Sequence, residues 1–184
     1  MTVARGRLPI QKLRRLLRPP ATAIVIAVPE AEHLVGDVSG PGMPPHVTLL
    51  WPFFGRPGRR RLRRLAAVAA RHAQFDFTLA RVGTFPGVVY FAPVPAAPFV
   101  DLVRALTETW PGKQPYGGAF PDVIPHVTVR PGPAPDADER ARLEAALPIA
   151  CAARELVLLS PVGDGWREDY RAPLGPPRDP PTSA

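Results

Sequence analysis

PPHVTLLWPF, Pro44 to Phe53, sets a histidine and a threonine two residues apart inside an otherwise apolar run. IPHVTVRPG, Ile124 to Gly132, repeats the arrangement. His46 and Thr48 thus have counterparts in His126 and Thr128, each histidine preceded by proline and followed by valine. Residues two apart on a strand share a face at roughly 6.5–7 Å. Each pair therefore projects together, with Val47 and Val127 turned to the opposite side.

Outward from these strands, helical and strand patterns interleave. TAIVIAVP (22–29) is a β-branched run of strand length. Leu62, Leu65, Ala66 and Ala69 fall at helical spacing between Arg59 and His72, with arginines on the other face. FDFTLARV (75–82) alternates at period two, and GTFPG turns it into VVYFAPV (88–94) as a hairpin-like pair. Phe99, Val103 and Leu106 mark a second helix ended near Pro111-Gly112. The glycine-rich loop PYGGAFPD (115–122) enters the second histidine strand. Asp136 with Glu139 three residues on has the form of a capping box, opening a helix with Leu143 and Leu147 on its core side. ELVLLSP (155–161) and WREDYRAPL (166–174) read as closing strands. The expectation is an α+β fold with antiparallel sheets. Residues 1–20 are expected to form a basic disordered tail, 21–174 one domain of two similar lobes, and 175–184 a second disordered tail.

Composition bounds the function. The 184 residues suit one domain, with 46% hydrophobic and 21% charged residues. The net charge of +7 is concentrated: residues 1–18 hold six basic side chains and no acid, leaving 17 bases against 16 acids elsewhere. A second cluster, Arg56 to Arg71, reads as a solvated helix face or as a phosphate-steering surface. Cys151 is the single cysteine, so no intramolecular disulfide is possible. No signal-type apolar segment follows the basic start, and TAIVIAV is too short to span a bilayer. A cytoplasmic protein with no membrane association and no obligate protein partner is expected.

Two imidazoles suit acid–base chemistry near neutral pH, one accepting a proton while the other donates. Hydroxyls and a protonated imidazole can hold the oxygens of a tetrahedral anion. That inventory fits in-line displacement at phosphorus with neither metal nor cofactor. Zinc-ligand spacings, a G-x-S-x-G elbow and a Walker sequence are all missing from the chain. His33 and His72 have no comparable setting and are expected to be structural.

The paired H-x-T-x motifs, His46-Val47-Thr48-Leu49 and His126-Val127-Thr128-Val129, resemble those of the two-histidine (2H) phosphoesterase superfamily. Within it the chain is most similar to the 2′-5′ RNA ligase-like branch, whose bacterial members act as RNA 2′,3′-cyclic phosphodiesterases. GTFPGVVYFAPVP and PYGGAFPDVIPHVTV add to the resemblance, which covers roughly residues 21–174. It implies a bilobal fold, with a cleft between two antiparallel sheets and one motif per lobe. It implies that His126 activates water, that His46 protonates the leaving ribose oxygen, and that Thr48 and Thr128 bind phosphate oxygens. Arg130, on the same strand face as His126 and Thr128, is implied as a further phosphate contact. Phe53 is a candidate for stacking a base, as are Phe54 and Tyr116. The partners implied are RNA 2′,3′-cyclic phosphate ends or cyclic nucleotides. Two other readings stand beside this one: an RNA-end or nucleotide-binding protein with weak turnover, and a 2H enzyme acting on a non-RNA phosphoester.

Overall fold

The computed structural model describes residues 21–35, 40–120 and 122–177. Among the described residues eight strands and three α-helices follow in the order β1 (Ala23–Ala27), β2 (His46–Leu50), α1 (Arg59–Ala69), β3 (Phe75–Phe85), β4 (Val88–Val94), α2 (Ala97–Thr109), β5 (Val127–Pro131), α3 (Ala137–Ala145), β6 (Ile149–Ala153), β7 (Glu155–Val162) and β8 (Gly165–Pro173). The strands form one antiparallel sheet ordered β6-β3-β4-β5-β2-β1-β7-β8. The α+β expectation with antiparallel pairing is met.

The two sheets expected are instead halves of one. Each half has four strands, and the halves adjoin at β2 and β5, the two motif strands, through the single pair Val47–Val127. Both valines are fully buried. The apolar residue between histidine and threonine therefore joins the halves, and the motif strands are neighbours within one sheet.

One face of the sheet carries the main core. Ile24, Ile26, Leu49, Val89, Phe91, Val129 and Leu158 meet Leu65 and Val68 of α1 and Phe99, Leu102 and Leu106 of α2 there. A smaller cluster, Ala23, Val25, Val157 and Leu159, lies apart from it with Met43 and Trp166 packed against it. β3 and β4 turn through Pro86 and Gly87, whose φ of +80° suits the proline–glycine order of a type II turn. Asp136 caps α3 by accepting from the Glu139 N–H at 2.8 Å. The reciprocal half of the capping box does not form, because the Glu139 carboxylate is held by Arg130.

Three boundaries differ from the sequence reading. α1 stops at Ala69, three residues early. β6, IACAA, is an edge strand pairing with β3, where no strand was expected. Gly175, expected in the tail, is pinned: it donates to His72 O at 2.8 Å and accepts from Gln74 N–H at 2.9 Å. A Cβ on Gly175 would lie 2.5 Å from Ala70 O, so only glycine fits this approach. The basic stretch 1–18 lies outside the described residues.

Candidate active site

The two motifs repeat one burial pattern. Pro45, Val47 and Leu49 are buried while His46 and Thr48 are half-buried; Pro125, Val127 and Val129 match His126 and Thr128. With Val47 opposite Val127, antiparallel register sets His46 across from Thr128 and Thr48 across from His126. Directly opposed residues have Cβ atoms about 4.5–5.5 Å apart. Each imidazole is thereby matched with the hydroxyl of the other motif, and the two imidazoles lie on a diagonal.

Both rings are oriented alike. The Nδ1–H of His46 donates to Pro44 O at 2.8 Å, and that of His126 to Ile124 O at 2.7 Å. The intervening proline has a fixed φ and no N–H, so the ring is the donor that answers the carbonyl two residues back. Donation from Nδ1 leaves Nε2 with the lone pair in the neutral ring. Two Nε2 atoms are available to exchange protons with a ligand.

Burial holds both imidazoles below the usual histidine range, opposed by these carbonyl bonds. His46 is further lowered by repulsion from His126. An anion between them favours the charged form of either ring.

Residues outside the motifs complete the surroundings. Phe85 and Tyr90 stack at 4.3 Å, and both present themselves edge-to-face with His126, at 5.1 and 5.4 Å. Gly83, paired across from Tyr90, makes room for that ring: a Cβ would lie 2.3 Å from it. Tyr116 is hydrogen-bonded through its phenol to Thr48, and burial pushes its pKa up. Its backbone is left-handed (φ +53°), and its N–H donates to Trp51 O. A non-glycine residue in that region is held there by its surroundings. Thr128 has no side-chain hydrogen bond to the protein among the described residues, so its hydroxyl is open to a ligand.

The remaining candidates fall elsewhere. Phe53 is 1% exposed and packs edge-on against Phe54 and Trp110 at 4.7 and 4.9 Å. It is a core residue, buried because the chain turns inward after Trp51-Pro52, and offers no ring to a base. Trp51, 42% exposed, and Phe120, 61% exposed and edge-on to Tyr116, are the open aromatic surfaces beside the motif strands. Arg130 forms a bidentate pair with Glu139 and donates to Pro131 O and Pro133 O. Its guanidinium ties β5 to α3. His72 donates to Val68 O and is structural. Among the described residues no three His, Cys, Asp or Glu side chains gather as a metal site requires, and no helix is long and apolar enough to cross a membrane.

Histidine–threonine strands adjoining at the centre of one antiparallel sheet define a two-histidine phosphoesterase. The chain belongs to the 2′-5′ RNA ligase superfamily, whose family model matches residues 5–165. Its fold is similar to that of Escherichia coli LigT. The LigT structure complexed with 3′-AMP is 19% identical, with TM-score 0.54 over 85% of this chain and 99% of that one. The apo form gives 18% and 0.56 over 86% and 99%. TT0787 of Thermus thermophilus gives 18% and 0.54 over 85% and 98%. No curated protein matches the chain.

Proposed function

We propose that the protein is a phosphodiesterase that opens the 2′,3′-cyclic phosphate of RNA ends or small nucleotides and leaves a 2′-phosphate. The observation that carries the reading is the matched pair of imidazoles, each with Nδ1 bound to a carbonyl and Nε2 free. In the reaction, water loses a proton to one Nε2 as its oxygen bonds to phosphorus. The P–O3′ bond breaks, and the 3′ oxygen takes the proton carried on the other Nε2. Thr48 and Thr128 donate to the non-bridging oxygens as charge builds on them.

The resemblance makes His126 the base. His46 is accordingly the acid. The anionic substrate supplies the charge that keeps the acid, His46, protonated near neutral pH. Nucleotide binding is in keeping with the relatives: LigT has been crystallised with 3′-AMP, NADP+, ATP and phosphate. Trp51 and Phe120 take the base-stacking role expected of Phe53.

The test is a kinetic cycle on a 2′,3′-cyclic nucleotide. His46→Gln and His126→Gln should each lower turnover about 10²-fold or more. Because both act in one transition state, the double variant should lose far less than the product of the two losses. A folded single variant with near-normal turnover would refute the shared site. Nucleotide binding without turnover in the wild type would favour the binding-protein reading.

A further inference from the structure

We propose that the arginine face of α1 binds the sugar–phosphate backbone of single-stranded RNA, holding the body of a polynucleotide whose phosphate end lies at the histidines. The inference rests on the phosphodiesterase reading for the second half of that statement and on α1 itself for the first. Arg59, Arg60, Arg61, Arg63 and Arg64 are all exposed, and the helix contains no acid. Residues 56–72 hold seven arginines and no acid, a charge equal to the net +7 of the chain.

Elsewhere on the surface six arginines are neutralised by the fold. Arg104, Arg130, Arg140, Arg154, Arg167 and Arg171 each have a carboxylate partner. None of the α1 arginines has one among the described residues. Three of them also occupy the first helical turn, where the N-terminal end of the helix already carries partial positive charge. Gly58 provides no side-chain cap, and no acid offsets the turn. The fold accepts an electrostatic penalty that a row of phosphates would relieve.

Two loops connect this face to the site. Arg61 lies 4.1 Å and Lys113 4.4 Å from the Phe54 ring centre, so two cations converge on one aromatic ring. Phe54 follows β2 and lies six positions after Thr48, a span of at most about 20 Å. Lys113 precedes Tyr116, whose phenol bonds Thr48. His46 and Thr48 face away from the core that α1 covers, so a strand of RNA leaving the histidines reaches these cations around the end of β2, past Trp51. Guanidinium forks match phosphate geometry, and exposed rings beside them suit unpaired bases. A membrane surface fits less well. An interfacial helix must free its apolar face, whereas Leu65, Val68 and Ala69 are buried in the core.

The experiment uses the full chain and an Arg59→Gln/Arg60→Gln/Arg63→Gln variant, which spares the two arginines that cover aromatic rings. Affinity for a labelled single-stranded oligoribonucleotide with a 2′,3′-cyclic end is measured against salt. Each lost phosphate contact lowers the log–log slope by about 0.7, so the triple variant should lose about 2. The ratio of kcat/KM for the oligonucleotide to that for a cyclic mononucleotide should fall about tenfold. The melting temperature should hold or rise, since the first turn loses cations. An unchanged slope and ratio in the folded variant would overturn the surface while leaving the phosphodiesterase reading intact. A reduced slope with no turnover of any cyclic substrate would support the surface and overturn that reading. Dependence on these arginines of binding to anionic vesicles or polyglutamate, with RNA unaffected, would overturn RNA as the partner.

Discussion

Tyr116→Phe removes one oxygen atom and leaves the ring against Phe120 and the left-handed backbone in place. What is lost is the hydrogen bond to Thr48. A neutral bond of this kind contributes about 1 kcal/mol net, so unfolding in urea should show a loss of that size with m unchanged. If the bond holds the Thr48 hydroxyl where the non-bridging oxygen becomes charged, the same energy is lost from the transition state. Turnover of a 2′,3′-cyclic nucleotide should then fall about fivefold, in kcat more than in KM. Thr48→Val removes both the bond and the phosphate contact and should cost about 10²-fold or more. On that background Tyr116→Phe has nothing left to position, and the double variant should match Thr48→Val alone. An equal, independent fivefold loss on both backgrounds would show that Tyr116 acts without Thr48, and the reasoning would fail.

Burial depresses both histidines below their unfolded value of about 6.5. Neutral rings then favour the folded state above that pH, and the contribution is lost as pH falls through the lowered folded values. Denaturation midpoints should drop as pH is lowered below about 6.5, and a His46→Gln/His126→Gln protein should show a smaller drop over the same range. Nitrogen-15 NMR should find both neutral rings protonated on Nδ1, with Nε2 left to exchange protons; Nε2–H rings would contradict this arrangement. Gly83→Ala should cost about 1–3 kcal/mol by forcing Tyr90 aside and should slow turnover through His126, while adding Tyr90→Ala should restore part of the stability. Phe53→Ala should destabilise by about 3–5 kcal/mol as a core truncation, whereas Phe120→Ala should leave unfolding within about 0.5 kcal/mol and raise KM.

The site's centre was legible because its signal is local. Pro-His-Val-Thr encodes strand alternation, the carbonyl behind each ring and the buried valine in consecutive residues, and repetition removed the ambiguity of a lone histidine. What surrounds the centre depends on partners distant in sequence. Phe53 and Phe120 look alike in composition, and only the path of the chain buries one and exposes the other. Arg130 shares an alternation face with Thr128, yet Glu139, nine residues later, takes its guanidinium. Gly83 inside a strand opposite an aromatic was a readable sign of a ring lying flat across the backbone. The β6 strand carries little signal because Ile149 to Ala153, alanine-rich and following a helix, holds a single β-branched residue. One sheet in place of two follows from a single valine pair whose register no periodicity specifies.

Phosphorus NMR of the wild-type protein with a 2′,3′-cyclic nucleotide tests the proposed hydrolysis most directly. The strained cyclic diester resonance should be replaced by that of a 2′-monoester, with none of it formed by the His46→Gln protein on the same timescale. A 3′-monoester product would reverse the substrate pose between the two imidazoles, and an unchanged cyclic resonance would contradict the proposed activity.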